Sequence, residues 1–151
     1  MLANHYNECN EIFWNEESFN YSLEEKRIWD MDKYWKLEYF LIKLCESLVG
    51  AETLNRELAA NLYYLANSIN LSISSHNDPE DYYFLEKFNQ DEADECRDRL
   101  NHIMRILWGR IPFNYDYLII ANPLIQKDMA NWVEGMKDLT GHIRVTNAGV
   151  D

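Results

Sequence analysis

Positive charge is what this sequence lacks: 14 lysines and arginines stand against 26 aspartates and glutamates, a formal net charge of −12. Binding to nucleic acid or to an anionic membrane needs a basic surface that neutralises phosphate, so neither is expected. Long apolar runs are missing too, since no stretch approaches the ~18 consecutive apolar residues that span a bilayer. The opening Met-Leu-Ala-Asn-His-Tyr-Asn-Glu has neither a basic n-region nor an apolar core. The expectation is therefore a chain that is neither exported nor embedded in a membrane, and that works in the cytoplasm. Cysteine is sparse: Cys9, Cys45 and Cys96 are odd in number, far apart and without a CxxC pair, which disfavours a disulfide framework or a zinc knuckle. Each falls in an apolar helical stripe, where a free thiol behaves as a small hydrophobe and a reducing compartment is favoured.

Sets of catalytic groups are equally thin. The four histidines, His5, His76, His102 and His142, are dispersed. His5 with Cys9 and Asp98 with His102 are spaced i, i+4, which fits a metal pair or a base with its orienting carboxylate, but such pairs arise often by chance on helices. No Glu-x-x-His precedes any histidine, which disfavours a di-iron carboxylate site. Around Asp78, Glu80 and Asp81 the glycine and terminal glutamate of an EF-hand loop are absent, as are phosphate-cradling glycine loops anywhere. No catalytic residue, metal or cofactor is expected, and an enzyme holding a divalent cation between acids of two helices is the least favoured class.

What is present is core material. Hydrophobic residues make up 47% and aromatics 14% of 151 residues, enough for one domain burying roughly 70% of its unfolded surface. Apolar spacing is helical along most of the chain. Leu2, Tyr6, Cys9 and Phe13 form one stripe ending near Asn15, and Ser22 with Glu25 has the form of a capping box opening a short helix to about Trp29. Asp30 or Asp32 restarts the helix, and Tyr34, Leu37, Leu41, Leu44 and Leu48, widened by Trp35, Phe40, Ile42 and Cys45, predict the most buried helix, stopped by Gly50. Thr53 is the expected cap of a helix carrying Leu54, Leu58, Leu62, Leu65 and Ile69 and ending near Asn70, followed by a polar loop. Asp78-Pro79 predicts a short helix over 79–88, and Asp91 caps a longer one with Ala93, Cys96, Leu100, Ile103 and Leu107, stopped by Gly109 and Pro112. Tyr115–Ala121 fits a short strand or, as expected here, a buried connection. Asn122-Pro123 opens a last helix whose Ile125, Met129, Trp132, Val133 and Met136 face one way up to Gly141, before a loose tail over 142–151. The expected fold is all-α, a single helical domain built as an irregular antiparallel bundle of about six helices with at most one short strand.

The charge is unevenly placed. Residues 1–32 hold eight acids against two bases, residues 78–99 nine against three, and the rest nine against nine, so two segments of net −6 own the whole imbalance. Both interleave acids with aromatics: Ile12-Phe13-Trp14-Asn15-Glu16-Glu17-Ser18-Phe19-Asn20-Tyr21 and Asp78-Pro79-Glu80-Asp81-Tyr82-Tyr83-Phe84. Acids in first helical turns also serve the helix dipole, which is the plainer account of them. Concentration of the full net charge in two segments favours a binding face instead, with Glu16, Glu17, Asp78, Glu80, Asp81, Asp94 and Glu95 steering a basic partner and Trp14 and Tyr82 anchoring it.

In size, acidity, aromatic content and helical pattern, and in the segment Trp29-Asp-Met-Asp-Lys-Tyr-Trp-Lys-Leu-Glu-Tyr-Phe-Leu-Ile-Lys-Leu, the chain resembles bacterial immunity proteins of contact-dependent growth inhibition and related polymorphic toxin systems. The resemblance implies a cytoplasmic toxin inhibitor that binds a cognate basic toxin, often a nuclease, and occludes its active site. The alternative is an acidic adaptor or regulatory subunit of a protein complex.

Overall fold

The computed structural model describes residues 12–148, with side chains described as far as residue 138. The chain is all helical: six α-helices lie wholly within the described residues, which contain no sheet. They are α1 (Phe19–Tyr21), which runs into a π-helical turn over Ser22–Lys26, α2 (Met31–Ser47), α3 (Arg56–Asn77), α4 (Gln90–Leu107), α5 (Tyr117–Ile120) and α6 (Pro123–Ala148). Two compact units divide the chain, one ending at Asn114 and the other starting at Tyr115. No helix among the described residues is long and apolar enough to cross a membrane.

Short polar side chains start nearly every helix by accepting from its orphan first-turn N–H groups. Asp30 accepts from Lys33 N at the head of α2, Asn89 from Glu92 N at α4, and Asp116 from Leu118 N and Ile119 N at α5. At α6 the buried Asn122 accepts from Leu124 N and Ile125 N, with Pro123 in the first turn where its missing N–H costs nothing. Gly50 (φ +82°) and Gly109 (φ +71°) follow α2 and α4 in the left-handed conformation that side chains resist.

In the first unit α2 and α4 run parallel. Tyr34 meets Cys96, Glu38 meets Arg99 and Cys45 meets Ile103, so the residue numbers rise together along both helices. That direction follows from the chain path, because α3 returns antiparallel between them and packs on α4. Leu37, Leu41, Leu44 and Cys45 of α2, Leu58, Leu62, Leu65, Ile69 and Ile73 of α3, and Cys96, Leu100 and Ile103 of α4 fill the space between. An aromatic cluster closes the end near Asp30: the Phe19 ring lies edge-on 5.1 Å from Trp29 and 5.4 Å from Tyr34, and Phe88 lies 5.5 Å from Trp29. Offset and edge-to-face rings of this kind add about 0.5–1.5 kcal/mol per pair beyond their burial.

Several sequence expectations need correction. The stripe through Leu2, Tyr6 and Cys9 lies outside the described residues, though Phe13 is buried in a helical turn that ends at Trp14. The cap of α1 is Ser18, which accepts from Tyr21 N at 3.0 Å, and not Ser22, whose buried hydroxyl accepts from Lys33 Nζ. Thr53 and Asp91 each lie two residues from the true caps, Asn55 and Asn89. The Ser/Asn-rich stretch 70–77 is the last two turns of α3 and not a loop, because Ile73 continues the buried stripe and its burial outweighs poor helix propensity. The short helix over 79–88 does not exist. Asp78 and Pro79 enter a turn instead, and residues 81–85 have no regular structure, Tyr83 and Leu85 being more buried than Tyr82 and Phe84, until an isolated parallel bridge joins Glu86 to Ile28. Residues 117–120 form a helical turn and neither a strand nor an irregular connection.

In the second unit α6 does not stop at Gly141 but continues to Ala148, so 142–148 are helical. Trp132, Val133 and Met136, expected to face one way with Ile125, are exposed while Ile125 is buried. Within that unit α5 packs on α6, and Ile125 is buried.

Candidate interaction surface

One helix, α3, gathers both acidic segments. Going along it from Tyr64, each turn receives a residue from one of them. Trp14 places its ring 5.1 Å from the Tyr64 ring. Four residues on, Ser68 Oγ donates to Glu24 Oε1 at 2.6 Å. After another four, Ser72 lies close enough to the Tyr83 phenol to lower its pKa. One turn further, His76 Nδ1 accepts from Leu85 N at 3.0 Å while its ring lies 4.0 Å from Phe88 and 5.1 Å from Phe84. The spacing of 64, 68, 72 and 76 follows one flank of the helix. The two segments also bond directly: Trp29 N donates to Glu86 O and Glu86 N to Arg27 O, both at 2.9 Å, and Tyr83 Oη donates to Leu23 O at 2.7 Å. Burial raises the Tyr83 phenol above its ordinary value, with Ser72 and with Arg27, 5.7 Å over its ring, working against the rise.

Of the sequence-selected residues, Trp14 touches this flank directly and Asp78 caps the end of α3. Glu16 and Glu17 are exposed beside half-buried Trp14, and Glu17 lies 3.9 Å from Lys33. Asp78, Glu80 and Asp81 are exposed on the turn after α3, which they also shape: Asp78 Oδ1 accepts from Glu80 N and Asp81 Oδ1 from Tyr83 N, each at 2.9 Å. Tyr82 points outward at 98% exposure. Asp94 and Glu95 are not part of these contacts. They sit in α4, where half-buried Asp94 is engaged by Arg97 at 2.8 Å and Gln90 at 2.9 Å, while Glu95 is exposed.

Two features escaped the sequence. Tyr63, Tyr64, Leu71 and Phe84 are large apolar residues more than half exposed on α3 and the segment after it. The second feature is a charged cluster in the core. Glu38 is fully buried and Arg99 nearly so, with Arg99 Nε donating to Glu38 Oε2 at 2.9 Å and its Nη2 to Oε1. The Tyr34 hydroxyl lies 2.7 Å from Glu38 Oε2 and 3.0 Å from Cys96 O, and the guanidinium lies 5.2 Å over the Trp35 ring. Burial, then the Glu38 charge, drives the Tyr34 phenol well above its usual value. The signal was present in the spacing, since Glu38 follows Tyr34 by four and precedes Leu41 by three, inside the buried stripe.

Tyr34 and Glu38 are fully buried and Arg99 is 3% exposed, so these groups hold helices together. Burial likewise pushes the Cys45 and Cys96 thiols up to about 12, which keeps them protonated and unreactive. A half-open cavity of about 530 Å³ lies where α2 and α4 end, between Leu48, Leu54, Trp108 and Phe113, with Cys45, Glu52 and Arg110 as its ionisable lining. Among the described residues no three His, Cys, Asp or Glu side chains converge so as to hold a metal ion.

Compared with known proteins, the chain matches no family model, no curated sequence and no solved structure.

Proposed function

We propose that this protein acts by binding a basic partner protein through the acidic flank of α3, and that the partner is a cognate toxin, a nuclease domain whose active site it occludes in the cytoplasm, as in the bacterial immunity proteins it resembles. The observation that carries the reading is that stretches of two acidic segments far apart in sequence, Trp14 and Glu24 of one and Phe84, Leu85 and Phe88 of the other, meet along one flank of one helix. Carboxylates presented together where substrate phosphates would otherwise bind raise the encounter rate with a basic active site, and exposed rings such as Tyr82 exclude water once the surfaces meet. The protein needs no chemistry of its own for this, and no cofactor.

The test is enzymatic. The purified chain is titrated into the nuclease domain encoded beside it, and DNA or RNA cleavage is followed. Cleavage should fall to zero at one equivalent, and cells producing the nuclease should grow only when this chain is produced with it. A complex that forms without loss of cleavage would replace toxin inhibition by the adaptor role.

A further inference from the structure

Between Glu57 and Asp78 the sequence has no Asp, Glu, Lys or Arg, the longest such interval in the chain, and it coincides with α3. One side of that helix is core. On the other side Ala60, Tyr64, Asn67, Leu71 and Ser74 follow one another at alternating four- and three-residue steps, a single exposed stripe with Tyr63 beside it. Tyr63 is 66%, Tyr64 56% and Leu71 57% exposed. A surface helix ordinarily carries its charged residues on the solvent side. Here they are displaced to the margins, onto Glu24 on one side and Asp78, Glu80 and Asp81 at the end.

An uncharged centre rich in tyrosine inside a charged border is the composition of a protein interface, whose core is depleted of charge and enriched in aromatics. We infer that this outer face of α3 is the centre of the binding interface, and that its occupant is another protein presenting an apolar or aromatic patch bordered by lysine and arginine. Charge decides between occupants. A second copy seated face to face would bring two acidic borders together, and like-charge juxtaposition disfavours such a pairing. The inference rests on the reading that the protein works by binding a basic partner, and it moves the specificity from the acidic residues to Tyr63, Tyr64 and Leu71.

The test places a photo-crosslinking benzophenone side chain at Tyr63 or Asn67, and at exposed Arg105 of α4 as control, in the cells that produce the chain. Positions 63 and 67 should each yield an adduct with the same second protein, the control should not, and the joined peptide should be rich in lysine and arginine. Leu71→Lys, or Ala60→Arg should the first variant lose its thermal midpoint, should lower the adduct at position 63 at least about tenfold. An adduct with a second copy or within the same chain, no adduct at either position, or one indifferent to a variant that keeps its midpoint would overturn the inference. A basic partner that is not a nuclease would uphold it while ending the toxin-nuclease reading.

Discussion

Removing one half of the buried ion pair should unfold much of this protein's stability margin. In Arg99→Met the side-chain volume is roughly kept, but the fully buried Glu38 carboxylate loses two N–H donors and its countercharge, retaining the Tyr34 hydroxyl at 2.7 Å. At about 3 Å and an effective dielectric of about 20 the lost attraction is on the order of 5 kcal/mol, and uncompensated buried charges cost about 3–5 kcal/mol in practice. Against a total of about 5–15 kcal/mol, that is about a fifth or more of the stability. Guanidinium unfolding followed by circular dichroism and tryptophan fluorescence measures it directly, and the thermal midpoint should drop by roughly 6–20 °C. The double variant Glu38→Met/Arg99→Met removes both charges and leaves Tyr34 its alternative acceptor, Cys96 O at 3.0 Å, so stability should return to within about 1 kcal/mol of the parent. A cost below about 1 kcal/mol for the single change, or no recovery in the double, would refute the account of this core.

Alkaline pH should be destabilising in a defined window. Burial pushes the Cys45 and Cys96 thiols up to about 12, from an ordinary value near 9, so the unfolded chain loses these protons first; stability is full below pH 9 and falls above it, by up to about 1.4 kcal/mol per pH unit and thiol. Tyr34 adds to the fall above pH 10, and Cys45→Ala/Cys96→Ala should flatten the slope between pH 9 and 10 in unfolding midpoints. Asn20 is 1% exposed and neither Nδ2 nor Oδ1 has a partner among the described residues, so Asn20→Leu should leave stability unchanged or raise it by about 1 kcal/mol; a loss above about 1 kcal/mol would mean that the amide is satisfied.

The helices that pack on both their neighbours were legible in the sequence. α2 and α4 carry long stripes, and Asp30, Asn122-Pro123, Gly50 and Gly109 mark their ends or the start of α6 as expected. Errors arose where one local signal serves two structures. Asp78-Pro79 begins a helix as readily as a turn, and the choice was made at long range, by Tyr83 reaching Leu23 and Leu85 reaching His76. Serine and asparagine over 70–77 favour a loop locally, but burial of Ile73 holds the helix. The acidic segments were visible by counting charges, whereas their meeting depends on contacts between residues such as Glu24 and Ser68, for which periodicity gives no sign. Asp94 shows the converse, an acid picked for its charge that the structure pairs with Arg97.

The most direct test of the proposed acidic docking flank is stopped-flow association with the partner proposed for it, a basic nuclease domain, across salt and with Glu80→Lys/Asp81→Lys. Both residues are exposed, but Asp81→Lys removes the acceptor of Tyr83 N, so the variant's thermal midpoint is measured beside the parent's. Steering fields decay over about 8 Å at physiological salt. The association rate of the parent should therefore fall as salt rises while dissociation changes little, and the charge-reversed variant should associate more slowly at low salt with a weaker salt dependence. A folded variant that associates at the parent's rate in low salt would contradict the account.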